Sequence, residues 1–227
     1  MTAEIAISPP NAGLEDFDWR VSMASVTAPG RFSHFTNVDR ILVVIEGRLK
    51  LVFEDGGKIV ELRPDGLPHR FPGDVGVIGA PVDGEVVDLN LMTRRGRWTG
   101  AIERIASPGS RSIALSSRHT ILIFAGEGCL RSQTEAIRVR PLDAVQVHEA
   151  ENEAVSVESH SDIYVVRLFP ITQRPTQGRS DRIDRSRTQQ QRPPPLPPYR
   201  ASCRWRKKAR SLIIALSLPR RPFPAIY

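Results

Sequence analysis

Between residues 17 and 169 the chain alternates short apolar runs with breaks at Gly, Pro and Asp, and no long stretch sustains a helical period. The runs include "DWRVSMASV", "RILVVIEG", "RLKLVFED", "KIVELR", "EVVDLNLMTR", "TILIFAGE" and "IYVVRLF". "EDGGK", "EG" and "GEG" mark hairpin turns between them. This pattern predicts an all-β chain. Side chains alternate between the two faces of a strand, so Arg20 and Ser22 share a face opposite Trp19, Val21 and Met23. By the same rule Asp88, Asn90 and Met92 share a face opposite Leu89 and Leu91. Each strand offers one polar and one apolar face; the polar face is either solvated or the wall of an interior pocket with a few fixed polar groups.

A weak internal repeat supplies the architecture. "RILVVIEGRLKL" at 40–51 resembles "TILIFAGEGCLRS" at 120–132, and "FPGDVGVIG" corresponds to "RPLDAVQVHE", with Asp74 matching Asp143. Repeated β units predict two barrels or sandwiches side by side, over about 14–100 and 101–169, preceded by an N-terminal extension, 1–13.

Charge divides the chain at the end of this region. The whole sequence carries 32 Lys+Arg and 25 Asp+Glu, a formal +7. Residues 1–170 hold 18 basic against 23 acidic side chains, net −5, whereas 171–227 hold 14 against 2, net +12. The high pI therefore belongs to the tail, and nucleic acid is not an expected partner of the body, because phosphate binding needs clustered basic side chains. The segment 170–227 is rich in Arg and Pro and has few apolar residues before Leu212, so it predicts a disordered basic tail. Within it "RPPPLPPYR" suits a polyproline II ligand and "RWRKKAR" an anionic surface, although composition alone produces such matches. The run "SLIIALSL" is far shorter than the roughly 20 residues of a membrane span. The N-terminus has no basic, apolar leader, which predicts a cytoplasmic protein. Cys129 and Cys203 cannot make a disulfide framework.

The candidate chemistry is concentrated early. "GRFSHFTNVDR" at 30–40 packs Ser33, His34, Asn37, Asp39 and Arg40 just before an apolar strand. The five histidines, His34, His69, His119, His148 and His160, are scattered, so neither a metal nor any other cofactor is expected. Four ordered segments, "WRVSMA" from 19, "GRFSHF…DR" from 30, "FPG" from 71 and "DLNLMTRR" from 88, resemble those of the HutD (Ves) family of the cupin superfamily in its two-barrel form. The resemblance covers roughly residues 14–169, is dense to Gly96 and looser beyond. It implies a bicupin fold and a regulatory or accessory role in histidine utilisation, with a small carboxylate of the urocanate or N-formylglutamate class as ligand.

The residues themselves support a metal-free pocket for a small carboxylate. Arginine's planar fork donates two parallel hydrogen bonds to such a group, which makes Arg20 and Arg40 the candidate anchors, with Ser22, Ser33 and Asn90 as neutral partners and Asp88 and Met92 on the same wall. The other reading of Arg20 and Arg40 is an internal ion pair with Asp88 or Asp39. "TRRGR" at 93–97 reads as a solvated turn. An enzyme, a metal-independent isomerase or hydrolase of a small acidic metabolite, is the alternative; its obvious pair, Ser33 and His34, faces apart on a strand, and no Gly-x-Ser-x-Gly elbow occurs. A third reading is an interaction protein working through its basic tail. A homodimer is compatible with the sequence.

Overall fold

The computed structural model describes residues 1–115, 117–132, 135–148, 153–172 and 213–216. Among these residues all regular structure is β. The first half comprises β1 (Thr2–Ser8), β2 (Trp19–Val26), β3 (Gly30–Arg31), β4 (Val38–Glu46), β5 (Leu49–Phe53), β6 (Ile59–Leu62), β7 (His69–Pro72), β8 (Val77–Pro81) and β9 (Val86–Arg94). The second comprises β10 (Trp98–Ile105), β11 (Gly109–Leu115), β12 (His119–Phe124), β13 (Gly128–Arg131), β14 (Ala136–Val139), β15 (Ala144–His148), β16 (Glu153–Ser159) and β17 (Ile163–Pro170), with β18 (Ile213–Leu216) beyond.

The strands form four antiparallel sheets, and the repeat seen in the sequence is a repeat of topology. One half has a large sheet β1-β2-β9-β4-β7 facing a small sheet β3-β8-β5-β6; the other has β10-β17-β12-β15-β18 facing β11-β16-β13-β14. Adding eight to each label of β2-β9-β4-β7 and β3-β8-β5-β6 reproduces the second half, with β1 and β18 as the added edges. The expected β-barrel/sandwich units take the sandwich form, because the large and small sheets stay separate rather than closing on each other. Gly47, at φ +81°, makes the tight turn from β4 in one sheet to β5 in the other, and a side chain there would meet the Glu85 carbonyl.

Three apolar layers follow from the alternation. Leu42, Val44, Leu49, Leu51, Phe53, Phe71 and Val77 fill the first sandwich. Leu122, Phe124, Leu130, Val145, Val157 and Val165 fill the second. Between them the outer faces of the two large sheets pack together, Trp19, Val21, Ile41, Val43, Leu89 and Leu91 against Ile102, Ile121, Ile123, Tyr164, Val166 and Leu168. Strand β4 is consequently apolar on both faces, as "ILVVI" already implies for a strand covered on each side.

Two segments differ from their sequence reading. Residues 2–8, set aside as part of an extension, form β1 and pair with β2 from Thr2↔Ala24 to Ser8↔Trp19. Inside the tail, Ile213–Leu216 pairs with β15, from Val147↔Ile213 to Ala144↔Leu216; this is the apolar, Ile-rich run of "SLIIALSL", suited to a sheet edge. The other tail readings, "RPPPLPPYR" and "RWRKKAR", lie outside the described residues. Among the described residues no helix is long and apolar enough to cross a membrane.

Candidate functional site

Sheet register assembles the site. On β2 and β9 the directly opposed pairs are Arg20↔Met92, Ser22↔Asn90 and Ala24↔Asp88, and on the other side of β9 Met92 is opposed by Arg40 of β4. Opposed residues of a sheet project from the same face, and this face looks into the first sandwich, since Leu42 and Val44 beside Arg40 belong to its core. The interior thus changes from apolar to polar along the strands. A cavity of about 320 Å³ remains there, lined by all seven residues singled out from the sequence, Arg20, Ser22, Ser33, Arg40, Asp88, Asn90 and Met92. Segment 30–37 closes the far side through Gly30, Phe32, Ser33 and Phe35, opposite Gly79 of β8.

Arg40 is 4% exposed. Its guanidinium lies over the rings of Phe32, Phe71 and Phe35, at 4.8, 5.2 and 5.9 Å from their centroids, which supplies cation–π contact in place of water. Nη1 donates to the Ser33 carbonyl at 3.3 Å, while Nε has no partner among the described residues. Burial lowers its pKa to about 10, although Asp88 pulls the other way. Asp88 is 1% exposed and makes no direct hydrogen bond to Arg40; its Oδ2 is unpartnered, and burial raises its pKa to about 7 against the attraction of Arg40. The buried Asn90 Oδ1 is likewise unpartnered. Arg20 donates from Nε to Glu4 Oε2 at 2.8 Å and from Nη1 to Ser22 Oγ at 3.3 Å.

The internal ion pairs considered for the two arginines are therefore not the ones formed. Arg20 pairs with Glu4, and Asp39 is held by Arg95 at 2.9 Å. His34 is not a lining residue: its Nε2 sits 2.9 Å from the Asp74 carbonyl, so it is not brought together with Ser33 as a catalytic pair. The arginines of "TRRGR" serve as clamps more than as a solvated turn. Arg94 donates to the carbonyls of Glu15, Phe17 and Thr36, Arg95 to Asp39 and Asp74, and Arg97 pairs with Asp18.

Sequence reasoning missed Glu4, the three phenylalanines and Gly79. Glu4 was legible in "TAEIAIS", where a charged residue flanked by Ala and Ile fits an edge strand. The grouping of Phe32, Phe35 and Phe71 around one guanidinium comes from tertiary folding and left no local signal. A metal ion of the usual cupin kind does not suit this cavity, whose wall offers the guanidinium groups of Arg20, Arg31 and Arg40, one carboxylate and no histidine. Among the described residues no group of three or more His, Cys, Asp or Glu is placed to hold one. A second cleft, of about 340 Å³, runs past Cys129, Arg131, Arg138, Glu158 and His160 on the other sandwich, but none of the unpartnered buried atoms lies in it.

Comparison with known proteins agrees with this architecture. The HutD family model matches residues 1–165. Protein Ves of Citrobacter koseri is 36% identical over 97 residues, which is 42% of this chain and 49% of that protein, so the chain spans about half the length of this curated relative. Two solved structures superpose at 24% identity: a conserved protein of unknown function from Pseudomonas aeruginosa PAO1, with TM-score 0.67 over 75% of this chain and 91% of that one, and HutD from Pseudomonas fluorescens SBW25, with 0.63 over 75% and 89%. At that identity the likeness is one of fold.

Proposed function

The chain belongs to the HutD family, and from that premise we propose that its first sandwich is a binding compartment for a small carboxylate, serving a regulatory or accessory role in histidine utilisation without turning the ligand over. One observation carries the reading. Arg40 is buried on a bed of three aromatic rings with Nε free, beside a cavity that also takes Arg20. A buried guanidinium is costly unless paired, and among the described residues no carboxylate is in hydrogen-bond contact with it, so an anionic ligand is the group that would complete it. The volume, about 320 Å³, is that of a site for a small molecule.

Calorimetric titration of the full chain with urocanate and with N-formylglutamate tests this. Saturable binding is expected, weakened about tenfold in Arg20→Ala, the loss of one charge-assisted hydrogen bond. Absence of binding by both compounds would remove the carboxylate reading, and an unchanged affinity in the variant would remove Arg20 from it. The alternative, a metal-independent isomerase or hydrolase, is favoured by one specific feature: Asp88 titrates near 7 inside the cavity, where a general acid or base belongs. Product formation from either compound, followed by NMR and abolished by Asp88→Asn, would establish that reading in place of simple binding.

A further inference from the structure

Three residues that line the cavity each carry a buried polar atom without a partner among the described residues, and these atoms are not of one kind. Arg40 Nε is a donor, whereas Asp88 Oδ2 and Asn90 Oδ1 are acceptors. Natural proteins leave few such atoms unsatisfied, so three on residues lining one cavity point to a group that enters it and completes them. A simple carboxylate is acceptor-only. It would serve Arg40 and then set its own oxygens against those of Asp88 and Asn90, with no proton to share and a like charge nearby. The sheet register separates the two kinds. Arg20 and Arg40 start from the Met92 row, and the acceptors start from the next two inward-facing positions of β9, Asn90 and Asp88. An elongated ligand along β9 would meet cations at one end and acceptors towards the other.

We infer that the cavity selects, among small carboxylates, those that carry an N–H or O–H donor away from the carboxylate, and that Asp88 and Asn90 are the residues that read the donor. The inference rests on the carboxylate reading of the same site. It adds a specificity that the arginines alone do not provide, because a site built around an unpaired acceptor rejects an analogue that leaves it unpaired.

The test uses two probes of the same charge and nearly the same shape, pyrrole-3-carboxylate, whose ring N–H points away from the carboxylate, and furan-3-carboxylate, with a ring oxygen in its place. Both are titrated into the full chain at pH 8, where Asp88 is mostly ionised. The pyrrole acid is expected to bind at least tenfold more tightly, and the preference to fall below threefold in Asp88→Leu and in Asn90→Leu, substitutions that remove an acceptor while keeping an apolar side chain of similar size. Equal affinities in the unaltered protein would overturn the donor inference and leave the carboxylate pocket standing. A preference that persists in both variants would overturn the assignment to Asp88 and Asn90. Failure of both probes to bind would overturn the carboxylate reading and this inference with it.

Discussion

Asp88 is the residue whose chemistry departs furthest from its type. It sits on β9 with Arg40 of β4 and the Met1 amino group as the charges acting on it, and Arg20 of β2 acts on Arg40 in turn. Burial outweighs both attractions and holds the carboxyl near 7, against an unfolded value of about 3.9. Between those values the folded state binds more protons than the unfolded one, so this group's contribution is most favourable below about pH 4 and is lost as pH rises through about 7. With about 1.4 kcal/mol per unit, the full loss is on the order of 4 kcal/mol. Asp74, whose Arg95 hydrogen bond lowers its pKa, acts in the opposite sense only at still lower pH. Asp88→Asn keeps the shape and removes the ionisation. Urea unfolding from pH 5 to pH 8 should show the variant more stable than the native chain by about 1.5 kcal/mol at pH 5 and by about 4 kcal/mol at pH 8. Parallel curves would mean that Asp88 ionises without penalty.

At the level of elements, period-two alternation was enough to place β9 and to put Asp88, Asn90 and Met92 on one face, but not to say that the face is interior. Alternation shows that two faces differ; only the register with β4, whose Leu42 and Val44 enter the core, shows which one is covered. Strand β16 escaped because Glu, Ala and Ser dilute its apolar residues to Val155 and Val157, although their spacing is a clean alternation. Strand β1 escaped for a similar reason, and with it the partner of Arg20. The wall opposite β9 carries a constraint of its own at Gly79. A Cβ there would lie 2.5 Å from Phe32 Cε2, too close for the ring to stay where it is over Arg40. Gly79→Ala should tilt Phe32 off the guanidinium at an overpacking cost of about 1–3 kcal/mol. The expected readout is a melting temperature lower by several degrees, together with a several-fold weaker affinity for any carboxylate that the titrations find to bind. A variant unchanged in both would show that the ring has room to move and does not position Arg40.

On the scale of the whole molecule the internal repeat was legible as two β units, yet the halves are not equivalent in use. The second sandwich is filled by Leu122, Phe124, Val145, Val157, Val165 and their neighbours, and the unpartnered polar atoms of the cavity belong to the first. The second half instead supplies the sheet that covers the back of β2, β9 and β4, so that the strands bearing Arg20, Arg40 and Asp88 are packed on both faces. Tyr164 adds a hydrogen bond from its hydroxyl to the Val44 carbonyl, and Arg70 one to the Gly100 carbonyl at 2.6 Å. Neither sandwich can lose this shared layer without exposing the other's large sheet to water, which predicts one cooperative unfolding transition for both. Trp19 and Trp98, with ring centroids 6.3 Å apart in this layer, report on it by fluorescence, while far-UV circular dichroism reports on all the strands. The two signals should coincide in a denaturant titration. Ile121→Ala, a truncation in the second half's contribution to the layer, should move both midpoints together, for a loss of about 2–5 kcal/mol. Separation of the two signals, with the dichroism splitting into two steps, would mean that the sandwiches unfold independently and that the second is no more than an attached neighbour of the first.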